Sequence, residues 1–278
     1  MKISYGYEIG LHCPTPTAMV CQLDVHPSLV SLVVEETPFA ANPFLFSRVY
    51  RDAFGNACRR FVAPAGDTLI RAGGIIQCSG KPDRVRTHAR EIAVANLPDD
   101  TLVYLQGSRY VETDILSQTA WDLFGRTEPG WARVQAICDF VNGHLTFDYG
   151  RARATRTAYE AFTEREGVCR DFTHLAVAFC RAMNIPARYC NGYLGDIGVP
   201  PDPAPMDFNA WFEVYLDGGW HTFDARHNMP RIGRILVARG RDAADIPLVN
   251  SFGPHILKSF KVWTDEVKQP HLVCVRAS

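Results

Sequence analysis

Apolar and polar positions alternate near the start of the chain. Met19, Cys21, Leu23 and Val25 fall on one side, Gln22 and Asp24 on the other, the period of a half-buried strand. "PSLVSLVVEE" and "NPFLFSRVYR" come next, each opened by proline, and Gly55-Asn56 stands where a chain would turn. "GDTLIRAGGIIQCSG" reads as a further strand punctuated by glycine. No long helical period occurs in this region, so residues 1–106 are expected to form a β-rich N-terminal domain, a small antiparallel sandwich or sheet. The stretch "CSGKPDRVRTHAREIAVANLPDD" is expected to link it to the rest of the chain.

The pattern changes over residues 107–278, expected as a second domain. Val134, Ile137, Cys138, Val141 and Leu145 lie on one face of an amphipathic helix. "TAYEAFTEREG" predicts a shorter helix closed by Gly167. After Cys169, the residues Leu175, Ala176, Phe179, Cys180 and Met183 keep helical spacing until Ile185-Pro186 stops it. "ARYCNGYLG" is strand-like and "PPDPAP" is an extended loop. "FNAWFEVYL" and "WHTFDAR" predict a hairpin joined through Asp217-Gly218-Gly219. "IGRILVARG" and "ILKSFKVWTDEV" predict more strands. Helices first and an antiparallel sheet afterwards make an α+β layout.

Composition narrows the function. The 278 residues carry a net charge of −1, which gives no reason to expect nucleic acid or an anionic membrane as the main partner. The N-terminus has no uninterrupted apolar core of a signal peptide, and no later stretch is apolar enough to span a bilayer. A reducing cytoplasm is therefore the expected location, and the nine cysteines are expected to be mostly free thiols. None of them forms a CxxC pair, so no zinc knuckle is expected. Phosphate-loop and dinucleotide fingerprints are absent from the sequence, and neither a cofactor nor a metal is expected.

Cys169 is the candidate for chemistry. It opens a helix, where first-turn N–H groups lack intrahelical partners and the macrodipole is positive. A thiolate is stabilised there, so its pKa is expected to fall. Arg170 favours that shift; Asp171 and Glu166 oppose it. The alternative is a thiol that is simply packed, as expected for Cys180 in the apolar stripe. On the first hairpin strand Asn209, Trp211, Glu213 and Tyr215 share a face that can line a cleft, opposite Ala210, Phe212, Val214 and Leu216. On the second strand Trp220, Thr222 and Asp224 share a face opposite His221 and Phe223. A tight Gly218-Gly219 turn would set Asp224 across from Glu213. Contact between Asp224 and Asn209 would then need a longer turn, a bulge or strong twist. A nucleophile, a base and a group that orients the base are what acyl transfer through cysteine requires.

"GVCRDFTHL", "DFNAWFEVYLDGGWHTFDAR" and the β-rich N-terminal region together resemble the bacterial transglutaminase-like superfamily, closely over residues 157–226 and loosely before. The resemblance implies a papain-like core, with a nucleophile helix packed on an antiparallel sheet, and a Cys-His-Asp triad. Carried over by motif, Cys169 takes the nucleophile position and Asp224 the orienting carboxylate. The middle member departs from the pattern, because Asn209 stands where the family has histidine. An amide cannot act as a general base near neutral pH; it can only hold a hydrogen bond.

Four accounts of the Cys169, Asn209 and Asp224 constellation stay open. The protein keeps the cleft and only binds; the histidine has been changed; another histidine supplies the base; or Cys169 works with the helix field and a water. Of the substitutes, His227 lies just beyond the strand, where the chain can turn. His221 is on the wrong strand face, and His174 lies about 140° round the helix axis from Cys169. The implied activity is a cysteine hydrolase or acyltransferase acting on peptide or protein amides through a Cys169 thioester. The alternative is a non-catalytic binding protein on the same scaffold. Trp211 and Trp220 could wall the cleft or pack on the sheet, and Tyr189 and Tyr193 could reach it from the preceding strand. The arginines of "DARHNMPRIGR" and "RGRD" are expected to form local ion pairs, with Asp242 and Asp245 nearby.

Overall fold

The computed structural model describes residues 1–268. Its first six strands are β1 (Lys2–Cys13), β2 (Thr17–Cys21), β3 (Val33–Asn42), β4 (Ser47–Arg51), β5 (Ala57–Ala63) and β6 (Gly66–Gln77). Four helices come after them: α1 (Thr113–Phe124), α2 (Trp131–His144), α3 (Ala158–Glu164) and α4 (Cys169–Ala182). Two short strands, β7 (Thr146–Phe147) and β8 (Glu166–Gly167), interrupt them. Then come β9 (Ala187–Tyr193), β10 (Asn209–Leu216), β11 (Gly219–Phe223), β12 (Ile235–Gly240), β13 (Val249–Ser251) and β14 (Ile256–Glu266). The α+β class is thus as the sequence predicts, with helices before an antiparallel sheet in the second half of the chain. Cys274 lies outside the described residues; the other eight cysteines are free thiols.

Three antiparallel sheets organise the chain. The strand orders are β14-β1-β6-β3, β13-β2-β5-β4 and β11-β10-β9-β12. The last two strands therefore return to the beginning: β13 pairs with β2, and β14 runs along nearly the whole of β1. Local pattern predicts β14 and misses β13, and it cannot say that their partners lie more than two hundred residues away. Residues 27–32 form a 3-10 turn instead of the start of a strand, with Pro27 at its first position and the His26 ring accepting from Ser28 N–H.

Helix α4 is the centre of the second core. Leu175 and Phe179 are fully buried on it, and Phe179 meets the rings of Phe124, Phe140 and Phe162 at centroid distances of 5.4–6.0 Å. Periodicity does not reveal helix α1. Its buried side chains, Leu116, Ala120 and Phe124, follow strict i, i+4 spacing, while Ile115, Trp121 and Leu123 stay exposed and blur the stripe. Helix α3 ends earlier than the glycine suggests: Arg165, at φ 59°, is its left-handed cap. At its other end, Thr157 Oγ accepts from Glu160 N–H at 3.3 Å and Glu160 Oε2 accepts from Thr157 N–H at 2.9 Å, a reciprocal capping box. Thr157→Ala is expected to lower stability by about 1 kcal/mol, read as a shift in the urea midpoint at unchanged slope.

Candidate active site

Gly167 has a task other than ending a helix. A Cβ there would sit 2.7 Å from the Asp171 carboxylate. That carboxylate is fully buried and accepts from Val168 N–H at 3.0 Å, from Arg156 at 3.3 Å and from Arg170 at 3.2 Å. Glycine leaves the room in which Asp171 pins the start of α4. Gly167→Ala is expected to loosen this lock and lower stability by about 1–3 kcal/mol, the range for overpacking, measured by thermal unfolding.

Cys169 opens α4 and lines an open cavity of about 510 Å³. Tyr110 and Tyr189 wall it from two sides, and Asp207, Phe208 and Asn209 close it beside the thiol. Cys169 is itself partly buried. Burial pushes its pKa up to about 11, and the Asp207 carboxylate adds to the rise. The Ala210 N–H and the Arg226 guanidinium act in the opposite direction without reversing it, and Asp224 adds a smaller increase. The shift is thus opposite to the one expected from the helix start, with desolvation its main cause and the facing Asp207 carboxylate the next.

The hairpin register settles where Asp224 lies. The turn is Asp217-Gly218, both at positive φ, so that Leu216 pairs with Gly219 and Glu213 with Thr222. Moving the turn one residue back shifts the partner of every position by two. Extended past Phe223, this register would bring Asp224 beside Trp211 and Arg226 beside Asn209. Arg226 Nη1 indeed lies 3.5 Å from Asn209 Oδ1. Direct contact between Asn209 and Asp224 does not form. The Asn209 amide instead donates to the Asp207 and Leu194 carbonyls at 3.3 and 3.4 Å.

Asp224 is buried in a cradle of donors. Its Oδ1 accepts from the N–H groups of Arg226 and His227 at 3.0 and 2.9 Å. Its Oδ2 accepts from His227 Nδ1 and Arg234 Nη2, both at 2.9 Å. Burial would raise this carboxyl, but Arg234 and His227 overcome it and hold it far below the usual carboxylate range. With its Nδ1 proton on Asp224, His227 has Nε2 as an acceptor, and Arg226 Nη1 donates to it at 3.0 Å. Arg226 is stacked over the Phe147 ring at 3.9 Å and faces Asp202 at 3.8 Å. It stands between His227 and Asn209, the neighbour of the Ala210 N–H that faces the sulfur.

The other histidines are committed elsewhere. His174 is fully buried with its ring against Tyr110 and Tyr189, and its Nε2 accepts from Ala243 N–H at 3.2 Å. Burial holds its pKa well below the ordinary value. His221 bonds the Leu216 carbonyl at 3.1 Å and packs edge-on to Trp131. Neither hairpin tryptophan walls the cavity: Trp211 lies under Arg234, and Trp220 is covered by Arg188 at 3.8 Å. Of the two tyrosines on β9, Tyr189 reaches the cleft and Tyr193 does not. The ion pair expected in "RGRD" forms as Arg241–Asp245 at 2.9 Å. Sequence reasoning misses Asp207; it ends the proline-rich loop, and no local pattern marks its approach to the thiol. Among the described residues no group of histidine, cysteine and carboxylate side chains is arranged to hold a metal, and no helix is long and apolar enough to cross a membrane.

A cysteine at a helix start, packed on an antiparallel sheet whose hairpin carries a buried aspartate, defines a class, and the comparisons agree. Residues 118–225 match the model of the transglutaminase-like superfamily. Uncharacterised proteins of Mycobacterium bovis and Mycobacterium tuberculosis are 32% identical over 216 residues, spanning 71% of this chain and 69% of theirs. A solved structure from Cytophaga hutchinsonii, described as a "Putative Cysteine Protease", is similar over 97% of this chain and 92% of its own, with 28% identity and a TM-score of 0.87. The chain belongs to the transglutaminase-like superfamily.

Proposed function

We propose that this protein is a cysteine hydrolase or acyltransferase that acts on amide or peptide bonds through a Cys169 thioester, with His227 as the base. The observation that carries the proposal is the Asp224–His227 bond of 2.9 Å at the end of the hairpin. It supplies a carboxylate-oriented imidazole from position 227 where position 209 offers only an amide. The cavity beside Cys169 admits an acyl group. As the sulfur attacks the carbonyl carbon, Nε2 of His227 takes the thiol proton and passes it to the leaving amine. Asp224 stabilises the imidazolium formed between these steps. Water or an amine then attacks the thioester, and the sulfur leaves. For Nε2 to serve, Arg226 must first give up its bond to it; a substrate carboxylate or carbonyl that draws the guanidinium away would do this.

The second reading is a binding protein on the same scaffold. It is favoured by the thiol held at about 11 and by the guanidinium in front of His227. 4-Nitrophenyl acetate separates the two. The enzyme reading expects acetylation at Cys169, located by peptide mass spectrometry, and renewed nitrophenol release when an amine is added. His227→Gln is expected to slow acylation about a hundredfold, the lower end of what a positioned base contributes. No acetyl group on Cys169 would leave the binder, and acetylation at equal rates with and without His227 would remove His227 as the base.

A further inference from the structure

A second cavity, of about 290 Å³, opens between the two N-terminal sheets and shares no lining residue with the Cys169 cleft. Three tyrosines form part of it: Tyr5 and Tyr7 from β1 and Tyr193 from the end of β9. They are 6%, 1% and 1% exposed. None of their hydroxyls has a hydrogen-bond partner among the described residues, and none is sealed from the cavity. Buried phenols of this kind ordinarily find a partner. Gly74 keeps space open beside one of them, since a Cβ there would lie 3.1 Å from the Tyr5 hydroxyl.

The electrostatics restrict what can enter. Asp24 and Glu36 line the cavity together with Arg51 and Arg59, two charges of each sign. Arg59 is already committed, with Nε and Nη2 on the two Asp24 oxygens at 3.2 and 3.1 Å and its guanidinium over the Phe39 ring at 4.4 Å. Arg51 and Glu36 are exposed, one charge of each sign, so an ion drawn into the buried part beside the tyrosines would lose its hydration and find no counter-charge there that is not already paired. The phenols stay protonated: burial, then Glu36 and Asp24, push Tyr5 up to about 12, and burial raises Tyr7 and Tyr193 as well. They therefore present O–H donors to an occupant. Apart from Thr37, the rest of the wall is apolar, from Phe39 and aliphatic residues such as Val30, Val33 and Val49.

We propose that this cavity is a binding site for a small, neutral, largely apolar molecule whose carbonyl or hydroxyl oxygen accepts hydrogen bonds from Tyr5, Tyr7 and Tyr193. The site is independent of the thiol chemistry. It is nonetheless mechanically adjacent to it, because the Tyr193 ring packs on Phe208 at 4.8 Å and Phe208 lines the Cys169 cleft.

Acetophenone and ethylbenzene test the assignment, because they share a shape and differ in the oxygen acceptor. In protein-observed NMR titrations, acetophenone is expected to bind saturably and about tenfold more tightly than ethylbenzene, the ratio that one or two hydrogen bonds confer. The double variant Tyr5→Phe, Tyr7→Phe is expected to erase that preference while leaving ethylbenzene binding in place. Ala72→Leu, on the position of β6 that faces Tyr7, is expected to block both probes by filling the cavity. Equal affinity for the two probes, binding that survives Ala72→Leu, or no saturable binding of the ketone would overturn the proposal. If the double variant does not fold, the ratio in the unaltered protein and the Ala72→Leu titration still decide.

Discussion

Alkylation of Cys169 by iodoacetamide is expected to rise about tenfold per pH unit from pH 7 to pH 10, about a thousandfold in all. The thiolate is the reactive form, and burial with Asp207 opposite pushes the thiol to about 11. At pH 7 only on the order of one sulfur in ten thousand is ionised, against a few per cent for an unperturbed cysteine. The reaction followed by peptide mass spectrometry should therefore lag a free thiol about a hundredfold at neutral pH and show no plateau below pH 10. A plateau near 8.5 or lower would mean that the helix field governs the site after all. The same shift acts on folding. A thiol whose folded pKa is raised contributes stability that is complete below its unfolded pKa and is lost as pH rises from there towards 11. For the proposed thioester route, a resting thiol means that the proton leaves sulfur during attack, which would place the base in the acylation step itself.

Asp224→Ala should lower stability by about 3 kcal/mol or more, the scale for breaking a buried charged pair. Four donors converge on this carboxylate, and two of them, Arg234 and His227, are side chains that would be left facing a void. Arg234 keeps its second partner, Asp83 at 2.9 Å, which is why the loss stays near the lower end of the range. The effect should depend on pH in a defined direction. Burial raises this carboxyl, but Arg234 and His227 pull it well below its unfolded value. Its contribution is present above the ordinary carboxylate pKa of about 3.9 and is lost as pH falls below it. Urea midpoints of the unaltered protein and the variant should stand far apart at pH 7 and draw together below pH 3. A gap that does not narrow in acid would assign the loss to packing rather than to charge.

Much of the secondary structure is legible because it rests on local periodicity. The stripe on α4 and the alternation along β10 need no distant partner; the hairpin is legible too, but its turn falls at Asp217-Gly218, one residue before the Gly218-Gly219 turn the sequence suggests. Helix α1 is not legible, since its exposed Ile115, Trp121 and Leu123 hide a buried i, i+4 edge. The site divides in the same way. Cys169 and Asp224 stand out by motif, and Asn209 stands out as a departure from it. Among the histidines, His227 stands out as the candidate substitute because it comes soon after the strand in sequence.

The sequence by itself determined the α+β class, the helix that carries the thiol and the lack of an imidazole at position 209, because each is written in neighbouring residues. Only the tertiary structure decided the protonation of Cys169, the Arg226 guanidinium set before His227, and the pairing of the last strands with the first. Those depend on how much solvent a group loses and which charges face it. Both are properties of packing between segments remote in the chain.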